Sequence, residues 1–391
     1  MKKSGINLVG VKEFNRSLIL QMICTGREVT RYKLAKTAHL SSMTVTNVTT
    51  DLLSLNVIAE TDSAPDAKSV GRSPKILTLA PHSPVVAGIW ISKDFLYGAV
   101  SDMSLNLLYT KRVFFTPKET PDTILEKLGA LTSDLTAAID RPLLGLGIAS
   151  IGVIDMVCGG IRFVTDFHNV QSLDIRDYLA ERFHFPIFLA NDMQASGLCE
   201  LYFGHGHEED NFLYVGISNG VGSAIVTNHQ LLKNSVDSCG ELGHMTIDYN
   251  GPKCSCGSRG CLELYVSSPN MLSQLSDECG RTFDSFAEAM DYCRVSSKAY
   301  SVLYNCSKQL TYALNSFINI IDISTIIFGH QGYYFPDEIM SSMESTLNRI
   351  SVLKNSKQFR LLRSSFGENA PLYGSVCLVL EQLFNGNITL S

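Results

Sequence analysis

The 391-residue sequence predicts an α/β protein in two parts, a small helical head carrying a β-wing and a larger body built on mixed sheets. Three observations lead there. Residues 12–55 hold three short segments with apolar residues at helical spacing, and two strand-like pieces around a polar, Pro- and Gly-containing loop follow. Beyond residue 84, three strand patterns come in succession and helices then alternate with strands, the order of a duplicated α/β fold rather than a simple doubly wound one. Hydrophobic residues make up 45% of the chain and charged residues only 18%. The latter is below the ~25% of ordinary soluble domains, so much of the chain belongs in a well-covered core and disorder is not expected.

The head is read in chain order. Phe14, Leu18, Ile19, Met22 and Ile23 mark one face of a helix over residues 12–25, and Leu34 and Ala35 turn inward on a second over 30–37. A turn at 38–40 follows, with His39 near the position where such turns often hold a left-handed glycine; histidine is among the residues tolerated there. Ser41 is a suitable N-cap for a third helix, on which Val45, Val48 and Leu52 form one stripe ending near Leu55. Strands over 56–61 and 75–80 flank a loop containing Pro65, Gly71, Arg72 and Pro74. Pro81 and Pro84 then mark a boundary, because proline extends neither a helix interior nor a strand ladder. The expected division is a winged helix-turn-helix over residues 1–80 and an effector body over 84–391.

In the body, strands are expected over 85–91, 95–101, 107–115, 143–148, 186–190, 212–217, 223–227 and 325–328. Helices are expected over 122–139, 173–183, 193–203, 300–320 and 371–384.

Charge separates the two parts. Through residue 80 there are eleven Lys/Arg against six Asp/Glu, a balance of +5, whereas the remainder has 21 against 32, a balance of −11. A basic head on an acidic body suits an anionic partner, double-stranded DNA first. With Val45, Val48 and Leu52 inward, the opposite face of the third helix carries Met43, Thr46, Asn47 and Thr50, the candidates to read base edges. Arg72 in the wing is placed to enter a minor groove, and Arg31, Lys33 and Lys36 are candidate phosphate partners. The alternative is a small helical subdomain whose polar face meets only water.

No apolar run approaches the ~20 residues of a membrane span. The basic opening residues are followed by Lys12 before any secretory core is complete, so a soluble cytoplasmic protein is expected. Eleven cysteines, an odd number mostly scattered singly through apolar stretches, fit a reducing compartment. Cys254, Cys256 and Cys261 are the exception. Together with His244 they supply three thiolates and an imidazole, a set suited to a closed tetrahedral zinc site, although the spacing matches no generic zinc-finger pattern and reduced thiols are the alternative. Asn191 and Asp192 close an apolar strand, Glu241 lies three residues before His244, and Glu263 lies two beyond Cys261. Three carboxylates, an amide and an imidazole of this kind can ring a polyol; each alone is also ordinary cap or turn chemistry.

The run ANDMQASGLCE, SNGVGSAIV, CGELGHMTI and CSCGSRGCLE between Asn191 and Glu263, with LGLGIASIGVID upstream, resembles the ROK family of sugar kinases and sugar-responsive repressors. The winged head matches its repressor branch, typified by xylose and N-acetylglucosamine repressors. The resemblance implies a two-lobed body of the actin/hexokinase (ribonuclease H-like) type and a structural zinc on His244, Cys254, Cys256 and Cys261. It also implies sugar contacts from Asn191, Asp192, Glu241, His244 and Glu263, with one His244 nitrogen on zinc and the other toward the sugar. Asp192 takes the place of the general base of the kinases. The implied assembly is a homodimer or homotetramer.

The phosphate-binding parts depart from the kinase pattern. Trp90, Ser92, Lys93 and Asp94 stand where kinases of the family carry Asp-x-Gly-Gly-Thr, Asn219 replaces a usual threonine, and Phe328-Gly329-His330-Gln331-Gly332 replaces a paired-glycine turn. Phosphoryl transfer depends on held phosphates more than on the base. The expectation is therefore a DNA-binding regulator and not an enzyme, a repressor of carbohydrate genes answering to a sugar or sugar phosphate that changes the angle between the lobes. A ROK hexose kinase is the alternative, and a sugar-transport protein is an alternative source of the signal.

Overall fold

The computed structural model describes residues 8–62, 74–164, 167–168, 170–233 and 239–390. It divides into two compact units, one formed by Met1–Ile148, Ile175–Leu189 and Ser375–Ser391, the other by Ala149–Asp174 and Ala190–Gly374.

The first unit begins with α1 (Leu8–Thr25), α2 (Arg31–Thr37), α3 (Ser42–Ser54) and the antiparallel pair β1 (Ile58–Asp62) and β2 (Lys75–Leu79). Helices this short need their ends satisfied. The Thr30 hydroxyl accepts from the Lys33 N–H at 3.2 Å and that of Ser41 from the Thr44 N–H at 3.1 Å. His39, between α2 and α3, has φ +52, the left-handed turn geometry read from the sequence. Ile19, Leu20, Leu34, Val45, Leu52 and Leu77 are buried as one small core. The Leu77 N–H donates to the Val29 carbonyl at 2.8 Å, adding a bridge beside the wing strands. Residues 63–73, and Arg72 with them, lie outside the described residues.

The same unit continues with β3 (Val85–Ile91), β4 (Phe95–Asp102), β5 (Leu107–Phe114), α4 (Pro121–Ala137) and β6 (Leu143–Ser150). The short antiparallel pair β7 (Val153–Asp155) and β8 (Gly160–Phe163) belongs to the second unit, and the chain then runs through α5 (Ile175–Ala180) and β9 (Ile187–Asn191). The sheet order is β5-β4-β3-β6-β9. Ile124, Leu128, Leu131 and Leu135 form the buried stripe of α4. Helix α5 is shorter than the expected 173–183, because Leu173 exchanges backbone hydrogen bonds with Ile161 and so belongs to an extended segment.

The second unit carries α6 (Asp192–Phe203), β10 (Phe212–Ile217), β11 (Val221–Thr227), β12 (Gln230–Leu231), α7 (Glu263–Val266), α8 (Ser268–Cys279), α9 (Phe286–Cys293) and α10 (Ser297–Ile318). It continues with β13 (Thr325–His330), α11 (Asp337–Ile350), β14 (Arg360–Arg363) and the start of α12 (Ala370–Phe384). Its sheet order is β12-β11-β10-β13-β14. In both sheets the strands stand, by order of appearance, third, second, first, fourth, fifth. That shared order is the duplication expected from the strand and helix alternation. The strands of β10 and β13 are uniformly buried, and Leu213, Val215, Phe328, Leu310, Leu275 and Met290 join the sheet to α8, α9 and α10 in one core. Among the described residues, no helix is long and apolar enough to cross a membrane.

Candidate functional site

Helix α3 separates its two faces as the periodicity requires. Val45, Val48, Thr49 and Leu52 are buried, whereas Thr46, Asn47 and Thr50 are exposed and Met43 is 69% exposed. The four candidate readers therefore share one solvent-facing surface. The Thr46 hydroxyl donates to the Ser42 carbonyl at 2.8 Å. Lys33 and Lys36 are exposed on α2. Arg31 differs from them. Its Nε donates to the Thr49 hydroxyl at 2.9 Å and its Nη1 pairs with Glu60, so the guanidinium ties α2 to α3 and the wing.

The second unit brings His244, Cys254, Cys256 and Cys261 together, with all four ligand atoms within 4.8 Å of one another. Sγ of Cys256 and Cys261 are 3.7 Å apart, and Cys254 Sγ is 3.8 Å from His244 Nδ1. A tetrahedron with zinc–sulfur bonds of ~2.3 Å has edges of about 3.8 Å. With two edges at that length and all within 4.8 Å, the donor set of one imidazole and three thiols fits a zinc ion. The loop reaches this shape through bridges between Thr246 and Cys261 and between Lys253 and Arg259, and through two left-handed glycines, Gly257 at φ +93 and Gly260 at φ +60. Burial pushes the Cys261 thiol up to about 12, aided by Cys254 and Cys256 beside it. The Cys256 thiol is lowered, first by the Ser258 backbone N–H. Three crowded sulfurs without a cation resist ionisation together, and a bound divalent ion reverses that balance.

Two of the polar residues expected around a polyol, Glu241 and Glu263, lie next to this cluster. His244 turns Nδ1 toward Cys254 and Glu263, whose Oε1 is 3.5 Å away, and Nε2 toward Glu241, whose Oε2 is 4.0 Å away. The two ring nitrogens thus face different groups. Glu241 is half-exposed, and its carboxyl sits above the ordinary range because of partial burial first, with the charges of Glu263 and Asp192 adding and His244 opposing. Asn191 is the N-cap of α6: its Oδ1 accepts from the Met193 N–H at 2.9 Å and its Nδ2 donates to the Gly152 carbonyl at 3.0 Å. Both ends of that amide are engaged in the fold, the cap role weighed at the outset. Asp192 opens α6 and is buried. A groove of about 660 Å³ lies behind the metal loop, between Met245–Asp248 and the Lys308, Gln309 and Tyr312 side of α10. None of the five polyol candidates lines it, so the large cavity and the polar cluster are separate features.

Two residues near Asp192 were not singled out as contacts. His330, at the end of β13, places Nε2 3.6 Å from Asp192 Oδ2, and its Nδ1 is 3.1 Å from the Tyr214 hydroxyl on β10. His330 stood in the stretch read only as a departure from a glycine turn. Its φ of +51 carries a cost of roughly 1–3 kcal/mol for a residue with a side chain, and no sequence signal announces it. On the first sheet, Trp90 packs edge-on against Phe95 with ring centroids 5.1 Å apart, and the Ser92 N–H donates to the Phe95 carbonyl at 2.9 Å, closing the β3–β4 turn with bulky and charged residues. Asn219 is exposed in the β10–β11 turn.

A winged helix-turn-helix joined to a body of two like-ordered sheets, with a Cys3His cluster beside the carboxylates of Glu241 and Glu263, defines a head-bearing relative of the sugar-kinase architecture. The chain belongs to the ROK family, whose model matches residues 86–382. It is 27% identical over 380 residues to the xylose repressor of Bacillus spizizenii, covering 96% of this chain and 97% of that one. Among solved structures, a ROK family transcriptional regulator described as a homolog of the E. coli MLC protein superposes with a TM-score of 0.79 at 23% identity, covering 96% of this chain and 97% of that one. The ROK hexokinase from Thermus thermophilus superposes with a TM-score of 0.64 at 25% identity, covering 97% of its own chain but 75% of this one.

Proposed function

We infer that the protein is a DNA-binding transcriptional repressor of carbohydrate genes, and not an enzyme, whose ROK body takes up a sugar or sugar derivative as its signal. The observation that carries this reading is coverage: repressor relatives match the chain through its winged head, whereas the hexokinase accounts for 75% of it. The exposed row Met43, Thr46, Asn47 and Thr50 supports α3 as the helix that enters the major groove, with Asn47 suited to adenine and Lys33 and Lys36 to phosphates. Arg72 is assigned to the wing contact on sequence grounds alone. Zinc held by His244 Nδ1, Cys254, Cys256 and Cys261 closes the loop. Asp192, Glu241, His244 Nε2 and Glu263 accept or donate to the hydroxyls of a polyol, with Asn191 holding the strand–helix junction they depend on. Paired half-sites call for a homodimer or homotetramer.

Sugar changes operator affinity only to the extent that it binds the two conformations unequally, and the coupling is reciprocal. The test is fluorescence anisotropy of the full chain on DNA from its own promoter region, with and without a panel of pentoses, hexoses, N-acetylhexosamines and their phosphates. Specific binding released by one sugar is the expected result. A flat response across the panel, with release by a sugar-transport protein instead, overturns the sugar signal. ATP-dependent phosphorylation of a hexose, lost in Asp192→Asn, overturns the non-enzymatic reading.

A further inference from the structure

We propose that His330 is a positioning residue of the effector site: held by Tyr214 with its proton on Nε2, it fixes the Asp192 carboxylate as the acceptor of a hydroxyl of the bound polyol. The proposal rests on the sugar-effector reading above and deepens it. Strands β10 and β13 are parallel neighbours, with Gly216 opposite Gly329 and Ile217 opposite His330. Both glycines are cleared for the side chains in question. A Cβ on Gly216 would lie 2.7 Å from His330 Nδ1 and 2.2 Å from Met193 Sδ, and one on Gly329 would lie 1.9 Å from the Tyr214 hydroxyl.

Proton directions follow from a short chain of bonds. Ser196 gives its one hydroxyl proton to the Asp192 backbone carbonyl at 2.7 Å, which pins the first turn of α6. Burial holds the Tyr214 hydroxyl far above the ordinary phenol range, so it remains a donor. The Asp192 carboxylate facing Nε2 favours the tautomer with its proton there, which makes Nδ1 the acceptor of the Tyr214 hydroxyl proton, 3.1 Å away. The 3.6 Å separation there is beyond a hydrogen bond, and a shift of a few tenths of an ångström on ligand binding closes it. His330 is buried at φ +51 and ψ −137, a backbone geometry that glycine adopts with least strain. A side chain kept where glycine would relax the strand is a cost to the fold that a contact with Asp192 explains.

The test compares full-length variants, using whichever sugar of the panel stabilises the wild type most. His330→Gly is expected to leave the melting temperature of the sugar-free protein unchanged or higher while affinity by calorimetry falls roughly ten- to hundredfold. Tyr214→Phe loses less, and His330→Gln, which keeps an N–H near the Nε2 position, recovers part of the affinity. Nitrogen NMR of the histidine-labelled protein is expected to show His330 protonated on Nε2, a signature that Tyr214→Phe alters. A His330→Gly protein that binds sugar like the wild type overturns the proposal and leaves the effector reading standing, as does a proton found on Nδ1 in place of Nε2. If no sugar binds the wild type, the effector reading fails and the proposal fails with it.

Discussion

The Cys254 thiol lies 3.3 Å from Oε1 of Glu263, so a residue assigned to the metal and one assigned to the polyol share a contact. As a thiol Cys254 donates to the carboxylate; as a bare thiolate it would repel it. A zinc ion on the sulfur removes that conflict and ties Glu263 to the state of the loop. Glu263→Gln is accordingly expected to lower zinc affinity by about tenfold or more. Cys254→Ser keeps a donor for Glu263 but loses a ligand, so its zinc content and its melting temperature should both fall. Metal analysis of the purified wild-type chain decides the matter first, since a stoichiometry near zero ends the zinc assignment.

The loop itself offers a comparison between two glycines. A Cβ on Gly257 meets nothing within 4 Å, whereas one on Gly260 would stand 1.7 Å from the Asp248 carbonyl oxygen. Gly257→Ala therefore carries only the left-handed backbone penalty of about 1–2 kcal/mol. Gly260→Ala adds a collision with backbone, and its drop in melting temperature and zinc retention should be the larger. Equal effects would contradict the steric account.

On the head, Asn47→Ala is expected to cost about 1–3 kcal/mol on the operator and little on random DNA, while Lys36→Ala weakens both alike and lowers the salt slope by about 1. Both residues are exposed, so circular dichroism and thermal melting should not change. Arg31 behaves differently, since Arg31→Ala removes the tie to Thr49 and Glu60 and should lower stability before any DNA is added. Anisotropy titrations at several salt concentrations separate the three outcomes. Equal losses on operator and random sequence for Asn47→Ala would remove it from the reading face.

Acid sensitivity has an identifiable source near the start of α4. Burial tends to raise the Glu119 carboxyl, but Lys127, Thr123 and both the N–H and the hydroxyl of Thr116 outweigh it, bringing it from 4.5 down to about 2. A carboxyl lowered by folding contributes stability that is present above its unfolded value and is lost as pH falls through the folded one. The contribution should therefore fade between about pH 4.5 and pH 2. Glu119→Gln should cost roughly 1–3 kcal/mol at neutral pH and flatten that part of the stability profile. Denaturant melts across this window measure both, and parallel wild-type and variant curves would rule the group out.

The elements legible in the sequence are those that short-range spacing defines. Strands 85–91 and 212–217 were read to the residue, because uninterrupted apolar runs bounded by turns leave little choice. Helices α8 and α11, like α9, lie outside the segments expected to be helical. Their buried residues are few, Met271 and Leu275 on one and Ile339, Met340, Met343 and Leu347 on the other, within otherwise polar sequence. The stripe of α11 stands at helical spacing and is amphipathic in its own right, whereas α8, with few apolar residues, is helical because the core behind it supplies the driving force.

By itself the sequence determined the mixed α/β class, the capped third helix with its outward Asn47, and the grouping of Cys254, Cys256 and Cys261, since residues so close along the chain meet whatever the rest does. Only the tertiary structure decided that Arg31 is held by Thr49 and Glu60, and that His330 stands between Tyr214, 116 positions earlier in the chain, and Asp192. Contacts of that range exist only after β10 and β13 pair side by side. The left-handed backbone that aims His330 is paid for by the packed sheet around it, a term that no local pattern of residues records.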